Sequence, residues 1–361
     1  MHHNTFPHVK ANPKGFAELV KKQSKGTKVV ILKPGEAFDL RYRMTTILTP
    51  DDIRRRHGSL FSKRLITMVD EKAGRAKIFE ECCAQGPVEW DAVNRLRAKG
   101  VVEHVEVTGT TLIMDAMVGE GEVRFGPATK DTGGQALKSL FVKNGKVETT
   151  WVGIAGASVG IGACLPQAEG VEKVEFLSDE NVGGSRKVEV RITTPLQKRL
   201  IVGIDDTDTK EKGATWVLGL KLGREMSHGA FLSHKIVQLN PHAPQKTTNC
   251  ASTGVSFAVQ PDKVKPLVDW AKEFVRKGTF SDQTSIAVYE GLEVPKKLVK
   301  FGANAKETIL SIHDAEHVAK ELGVEIHEIT GRRGCIGAVA AIGCFDLGLY
   351  SAGLPEDFRR A

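Results

Sequence analysis

No apolar run in this chain reaches the roughly 18 residues that a membrane-spanning helix needs. Met1-His2-His3-Asn4 also lacks the charged-then-apolar layout of a secretory leader, so a cytoplasmic protein with no membrane partner is expected. C-x-x-C pairs are missing too: Cys82, Cys83, Cys164, Cys250, Cys335 and Cys344 are scattered, which points away from a zinc ribbon or redox motif and toward reduced, mostly buried thiols. His313-Asp314-Ala315-Glu316-His317 spaces two histidines one helical turn apart. Asp314 stands where a zinc-protease helix needs its general-base Glu, so zinc is not expected there.

What is present is ordinary globular material, 361 residues of which 41% are hydrophobic and 26% charged, enough for two or three domains with their own cores. The net charge of +7 is local. Residues 1–65 carry 14 Lys and Arg against 5 Asp and Glu, while the remainder carries 37 against 39. Such a segment can attract RNA or another acidic partner through phosphate or carboxylate contacts. Residues 1–62 read as a basic N-terminal segment, with Thr49 capping a helix that Pro50 opens.

From residue 63 to 197 the pattern is α+β: a β-type run at Leu65 to Val69, a helix from Val88 to Lys99, then strands around Thr149 to Val152, Val171 to Phe176 and Val188 to Ile192. The glycine-rich stretch Gly153 to Gly162 enters a helix without a charged companion and reads as close packing. Thr193-Thr194-Pro195-Leu196 breaks this pattern, and Leu200-Ile201-Val202-Gly203-Ile204 follows as a strand expected to be buried on both faces. Strands and helices then alternate to the end of the chain, with residues 198–282 and 283–361 expected as two modules. The fold class is mixed, α+β or α/β in layers.

The strand at 200–204 runs into Asp205-Asp206-Thr207-Asp208, which places three carboxylates at the end where open α/β sheets put their ligands. Clustered carboxylates repel one another unless a cation neutralises them, and Mg²⁺ takes a few carboxylates together with water and phosphate oxygens. Asp205, Asp206 and Asp208 are therefore the candidate Mg²⁺ ligands and catalytic residues. Thr207, Thr215 and the backbone around Gly213 are candidates for holding phosphates. One strand later comes the loop Asn240 to Asn249, where Lys246 is a point charge for phosphate and Thr247, Thr248 and Asn249 add donors. Arg332 and Arg333, with Gly334 and Gly337 leading into an apolar helix, form a candidate substrate-binding turn.

Together, Ile204 to Asp208, Leu239-Asn240-Pro241 with Pro244, Lys246 and Thr247, and the run Gly334 to Gly343 resemble archaeal tRNA agmatidine synthetase over residues 199–345. Trp151 to Gly156 and Asp205 to Trp216 resemble the methanogenesis marker protein 11 family, from about residue 63 onward. The first resemblance implies a kinase-like ATP- and Mg²⁺-binding domain at 198–282 and a ferredoxin-like substrate module at 283–361. It also implies a catalytic role for Thr215, at the place of a threonine that the synthetase autophosphorylates. Only Cys344 to Ala361 follow the glycine-rich helix, leaving no counterpart of the OB-fold and zinc ribbon that grip tRNA in the synthetase. Thr248-Asn249-Cys250-Ala251 also replaces the synthetase's Arg-Gly-Asn-Gly run. The expectation is an ATP-dependent, ligase-like enzyme that phosphorylates an oxygen of a small or protein-bound substrate for displacement, linked to methanogenesis. An RNA-binding or tRNA-modifying protein, or an assembly factor without turnover, is the alternative.

Overall fold

The computed structural model describes residues 46–125 and 133–358. Residues 1–45, which carry most of the basic segment, lie outside it. Four arginines of that segment are described, and all are paired: Arg54 with Asp51, Arg55 with Asp52, Arg56 with Glu180, and Arg64 with Glu81.

The chain opens with β1 (Thr46–Leu48) and α1 (Pro50–His57). Thr49 caps that helix as expected, in a reciprocal box with Asp52. β2 (Ser62–Asp70), β3 (Arg75–Cys82), α2 (Gln85–Ala98), β4 (Val102–Thr108) and β5 (Thr111–Met117) follow. Then come β6 (Gly119–Glu120), β7 (Gly134–Lys143), β8 (Lys146–Ile154), β9 (Lys173–Phe176) and β10 (Lys187–Pro195). β2 to β5 form an antiparallel sheet in the order β2-β3-β5-β4, and the others a second antiparallel sheet in the order β1-β9-β10-β8-β7-β6. One apolar core joins these sheets, and α2 contributes Val88 and Ala92 to it. The helix begins three residues before Val88 because Pro87 still falls in its first turn, where a missing N–H costs nothing.

β11 (Lys198–Asp205) starts the third sheet and is followed by α3 (Thr215–Glu225), β12 (Ala230–Gln238), β13 (Ala251–Val259), α4 (Val264–Gly278) and β14 (Ser285–Glu290). α5 (Lys296–Glu307), α6 (Ile312–Leu322), β15 (Glu325–Glu328) and α7 (Cys335–Gly343) complete it. The strand order is β12-β13-β11-β14-β15, antiparallel throughout. Segments on both sides of residue 283 thus build one sheet, with β11 at its centre. All three sheets being antiparallel, the mixed class holds as α+β, and the open parallel sheet does not form. Apolar runs look alike in either direction; here the connections β11-α3-β12 and β13-α4-β14 each skip one strand, so that every hydrogen-bonded neighbour is antiparallel.

Period-two alternation along β11 divides its side chains between two helical layers. Leu200, Val202 and Ile204 face α3 and α4 with Leu222, Leu267, Ala271 and Val275. Ile201 faces the other layer, made of α5, α6 and α7. Gly203 shares that second face and admits α7 almost into backbone contact, since a Cβ there would lie 1.9 Å from the Ala338 carbonyl oxygen. All six cysteines are free, with Cys82, Cys164, Cys335 and Cys344 buried, Cys250 half-buried and Cys83 exposed. No described helix is long and apolar enough to cross a membrane.

Gly203→Ala should lower stability by about 1–3 kcal/mol or more, because the clash is with backbone and cannot be relieved by a rotamer. Thermal unfolding would show this as a depressed midpoint. An unchanged midpoint would mean that α7 does not sit on β11 as described.

Candidate functional site

Asp205 is the last residue of β11 and falls on the α7 side of the sheet, in phase with Ile201 and Gly203. Gly337 gives its carboxylate room: a Cβ at that position would stand 1.9 Å from Asp205 Oδ2. Gly334 is equally confined, with a Cβ meeting the Asp205 carbonyl oxygen and the Ser285 nitrogen at 2.7 Å. The two glycines of the Gly334–Gly343 run therefore act by bringing the start of α7 against the end of β11.

Asp206 turns the chain in the left-handed region, φ +58°, which aspartate tolerates better than most residues. Three groups hold it there. Ser281 Oγ donates to Oδ1 at 2.9 Å, Arg333 Nε to Oδ2 at 2.7 Å, and Thr284 Oγ1 to the carbonyl oxygen at 2.6 Å. Ser281 and Thr284 carry no motif of their own in the sequence, and only the fold reveals that they brace the turn.

Beyond it, Thr207 is buried and its Oγ1 donates to Thr215 Oγ1 at 3.0 Å. Thr215 Oγ1 donates in turn to Asp208 Oδ1 at 3.4 Å, and Thr247 Oγ1 reaches the same oxygen at 3.5 Å. Thr209 closes the loop by accepting from the Glu211 and Lys212 nitrogens. Gly213, at φ +91°, packs on Asp208 and Phe280 where a Cβ would come within 3.0 Å of the Asp208 Cβ. α3 then begins at Thr215 without a side-chain cap; Val217 N donates to the Ala214 carbonyl, and the Thr215 and Trp216 N–H groups remain for another acceptor.

Asp205, Asp206, Asp208, Lys246, Thr247, Asn249, Arg333 and Gly337 line one cleft of about 760 Å³, its mouth included. This is in the ~300–1,000 Å³ range of small-molecule sites. Leu239, Ala305, Ile309, Leu310 and Ile336 form its apolar wall. Thr207, Gly213 and Thr215 stand behind the turn as supports rather than in the cleft lining, and Thr248 and Gly334 are outside it as well. Arg332 points elsewhere, to Glu316 and to Glu328, the latter at 2.9 Å. Asp314 caps α6 through a reciprocal box with Ser311, and Glu316 is taken by Arg332, so two polar groups between His313 and His317 serve the scaffold.

Among the described residues, no three His, Cys, Asp or Glu side chains converge as a metal cluster. Both oxygens of Asp206 are engaged by Ser281 and Arg333. Asp205 and Asp208 are the carboxylates with capacity left. Burial first, then the neighbouring Asp206 charge, pushes the Asp205 carboxyl well above the usual range, with Arg333 acting the other way. Asp208 is raised as well, mainly by burial, although the hydroxyls of Thr215 and Thr247 favour its ionised form. Cys250, on the cleft wall, is pushed up to about 11 by burial and by Asp205.

The cleft thus sets a carboxylate turn braced by serine, threonine and arginine beside a lysine-bearing loop. Residues 201–267 match the family model of the TiaS TCKD domain. The tRNA 2-agmatinylcytidine synthetase TiaS of Thermococcus sibiricus is 38% identical over 151 residues, covering 40% of this chain, and the Pyrococcus horikoshii enzyme is 34% identical over 150. The chain spans about a third of the length of these synthetases, 35% in both. A crystal structure of TiaS in complex with its tRNA and ATP is 31% identical over 40% of this chain and 36% of that one, with a TM-score of 0.37. The uncharacterized protein MJ0921 of Methanocaldococcus jannaschii is 34% identical over 301 residues, 82% of this chain and 98% of that protein. The chain belongs to the family of MJ0921, and part of it is similar to TiaS.

Asp205 gives the site a pH signature. Its folded-state pKa lies above the ~3.9 of an unfolded aspartate, so the folded protein holds that proton more tightly. Stability from this group is full below the unfolded pKa and falls as pH rises through the folded one. Asp205→Asn should therefore gain stability over the native chain as pH rises from 4 to 8 in metal-free buffer, measured by urea unfolding. Parallel stability curves for the two proteins would rule this out.

Proposed function

We propose that the chain is an ATP-using enzyme that phosphorylates a substrate oxygen so that it leaves as phosphate when an amine or another nucleophile displaces it. The observation that carries this reading is the facing of Asp205 and Asp208 by Lys246, Thr247 and Asn249 across one cleft, within a segment matching the TiaS TCKD domain. Two half-buried carboxyls held above their usual range by burial, with a neighbouring carboxylate adding to the effect, are a donor set that a divalent cation relieves. Mg²⁺ bound there with ATP would neutralise phosphate charge as it develops in transfer.

The chain's own residues do the rest. Lys246, exposed at the rim, supplies a point charge to phosphate oxygens, and Thr247 and Asn249 donate hydrogen bonds beside it. Arg333 and Ser281 fix Asp206, and with it the angle at which Asp205 and Asp208 meet the cleft. Thr207 and Thr215 orient Asp208 from behind. The wall of Leu239, Ala305, Ile309 and Leu310 excludes water on the side where the substrate enters. Residues 198–282 are read as the kinase-like part, which gives Leu239 to this wall, and 283–361 as the ferredoxin-like part, which gives Ala305, Ile309 and Leu310. A place in methanogenesis, through the marker protein 11 family, belongs to the same proposal and rests on the motifs at Trp151 to Gly156 and Asp205 to Trp216.

The full chain should turn over ATP only with Mg²⁺ present. Asp208→Asn should reduce turnover by about 100-fold or more while the protein stays folded, and Lys246→Ala should weaken nucleotide binding by about 10-fold. Native protein that neither binds nor hydrolyses any nucleotide would sink the proposal.

A second reading, RNA as the substrate or its carrier, is favoured by the excess of 14 basic over 5 acidic residues in 1–65. The arginines described there are engaged in ion pairs, so this reading rests on residues 1–45. Its signature is RNA binding that weakens steeply with salt and disappears when residues 1–45 are deleted. Binding that survives the deletion would locate RNA elsewhere on the chain, and no RNA binding by the full chain would exclude this reading.

A further inference from the structure

The half of the chain upstream of residue 198 has a cavity of its own, about 750 Å³ with its mouth, between α2 and the glycine-rich stretch after β8. Phe61 and Trp90 form its apolar sides, Gly156 and Gly160 its narrow side, and Asp91 and Gln135 its polar floor. Asp91 and Gln135 are both more than nine-tenths buried.

The floor is not electrically balanced. Arg95 is fully buried and pairs with Glu80, its guanidinium 4.6 Å from the centre of the Trp151 ring. Its Nη2 donates to Gln135 Oε1 at 3.4 Å and comes no nearer than 3.6 Å to Asp91 Oδ2. The Gln135 amide donates to Asp91 Oδ1. Two buried carboxylates thus share one cation, and Asp91 Oδ2 is the oxygen left without a close donor. Arg97, two residues beyond Arg95, is taken up by Asn94 and by the Gly133 carbonyl, so it does not serve. A buried excess negative charge is costly and is removed either by a proton or by a cation. Burial, reinforced by Glu80 and opposed by Arg95, pushes the Asp91 carboxyl up to about 7. Cys164 is pushed up to about 12, by burial and then by Asp91 and Glu80.

We infer that this cavity is a second binding site, specific for an organic cation whose ammonium or guanidinium nitrogen donates to Asp91 Oδ2 and whose apolar arm lies between Trp90 and Phe61. The walls suit both ends of such a ligand. Trp90 is 44% exposed at the mouth and offers a ring face to an apolar arm or a cation. Gly156 and Gly160 hold ordinary right-handed geometry, so no backbone strain demands glycine there. A Cβ at Gly156 would meet nothing within 4 Å, and one at Gly160 nothing nearer than Gln135 Oε1 at 3.8 Å. The space they leave is cavity. This site is independent of the nucleotide cleft, and either can hold while the other fails.

Benzylammonium is a suitable probe, with benzyl alcohol as its neutral counterpart. Titrated into the full chain near neutral pH, benzylammonium should bind at one saturable site by calorimetry, with a change in tryptophan fluorescence. Benzyl alcohol should bind at least about 10-fold more weakly. Asp91→Asn keeps the shape and removes the charge, whereas Gly160→Leu keeps the charge and fills the space; each should weaken benzylammonium by about 10-fold or more. If Asp91→Asn fails to fold, Gly160→Leu decides. Equal binding of the alcohol, undiminished binding by the variants, or no saturable binding to the native chain would overturn the inference.

Discussion

The approach of α7 to β11 is the contact on which the candidate site depends. It is made by the absence of side chains: Gly203 beneath Ala338, Gly337 beneath the Asp205 carboxylate, and Gly334 against the backbones of β11 and β14. Any Cβ at these points would push the helix outward and carry Arg333 away from Asp206. Because Arg333 lies two residues before α7, the depth at which the helix seats also fixes the charge that steadies the acidic turn. Packing and electrostatics are thus one constraint here, set by three glycines.

How much of this was legible in the sequence depended on whether a signal was local. The central strand announced itself through five consecutive apolar or small residues, Leu200 to Ile204, and its burial on both faces follows from helical layers on either side. The Thr49 cap was equally plain. Strand direction was not, since β11 pairs with β13 and β14 from distant stretches of chain and no residue in it encodes that choice. The acidic turn and the Lys246 loop were readable as chemistry, and both line one cleft. Arg332 and Arg333 looked alike, yet only Arg333 faces the cleft, because Glu316 and Glu328 capture its neighbour. Ser281 and Thr284 were invisible, being ordinary polar residues whose importance comes from meeting Asp206 across more than seventy positions of sequence.

The upstream half follows a different economy of charge. Its buried ions, Glu80, Asp91 and Arg95, lie within the core between its sheets rather than at a strand end. No motif advertises them, since single charged residues on a helix and a strand are normally solvated. The Gly153–Gly162 stretch reads as packing in sequence, and Gly153 and Gly162 do pack closely, while Gly156 and Gly160 border open space. One glycine-rich run thus serves two purposes, and the spacing of the letters alone does not separate them.

The seam between the halves carries a consequence for how such a protein can be taken apart or assembled. β2 hydrogen-bonds to the short link that joins β10 to β11, Val69 N to Gln197 O at 3.0 Å. Ile66 and Met68 of β2 also share a small apolar cluster with Ala258 of β13 and Leu292, two residues past β14. The segment shared with the synthetases is therefore not a detachable cassette. Lifted out, it would expose a greasy scar at Ala258 and Leu292, and any chain that reuses this sheet must bring its own dressing for that spot.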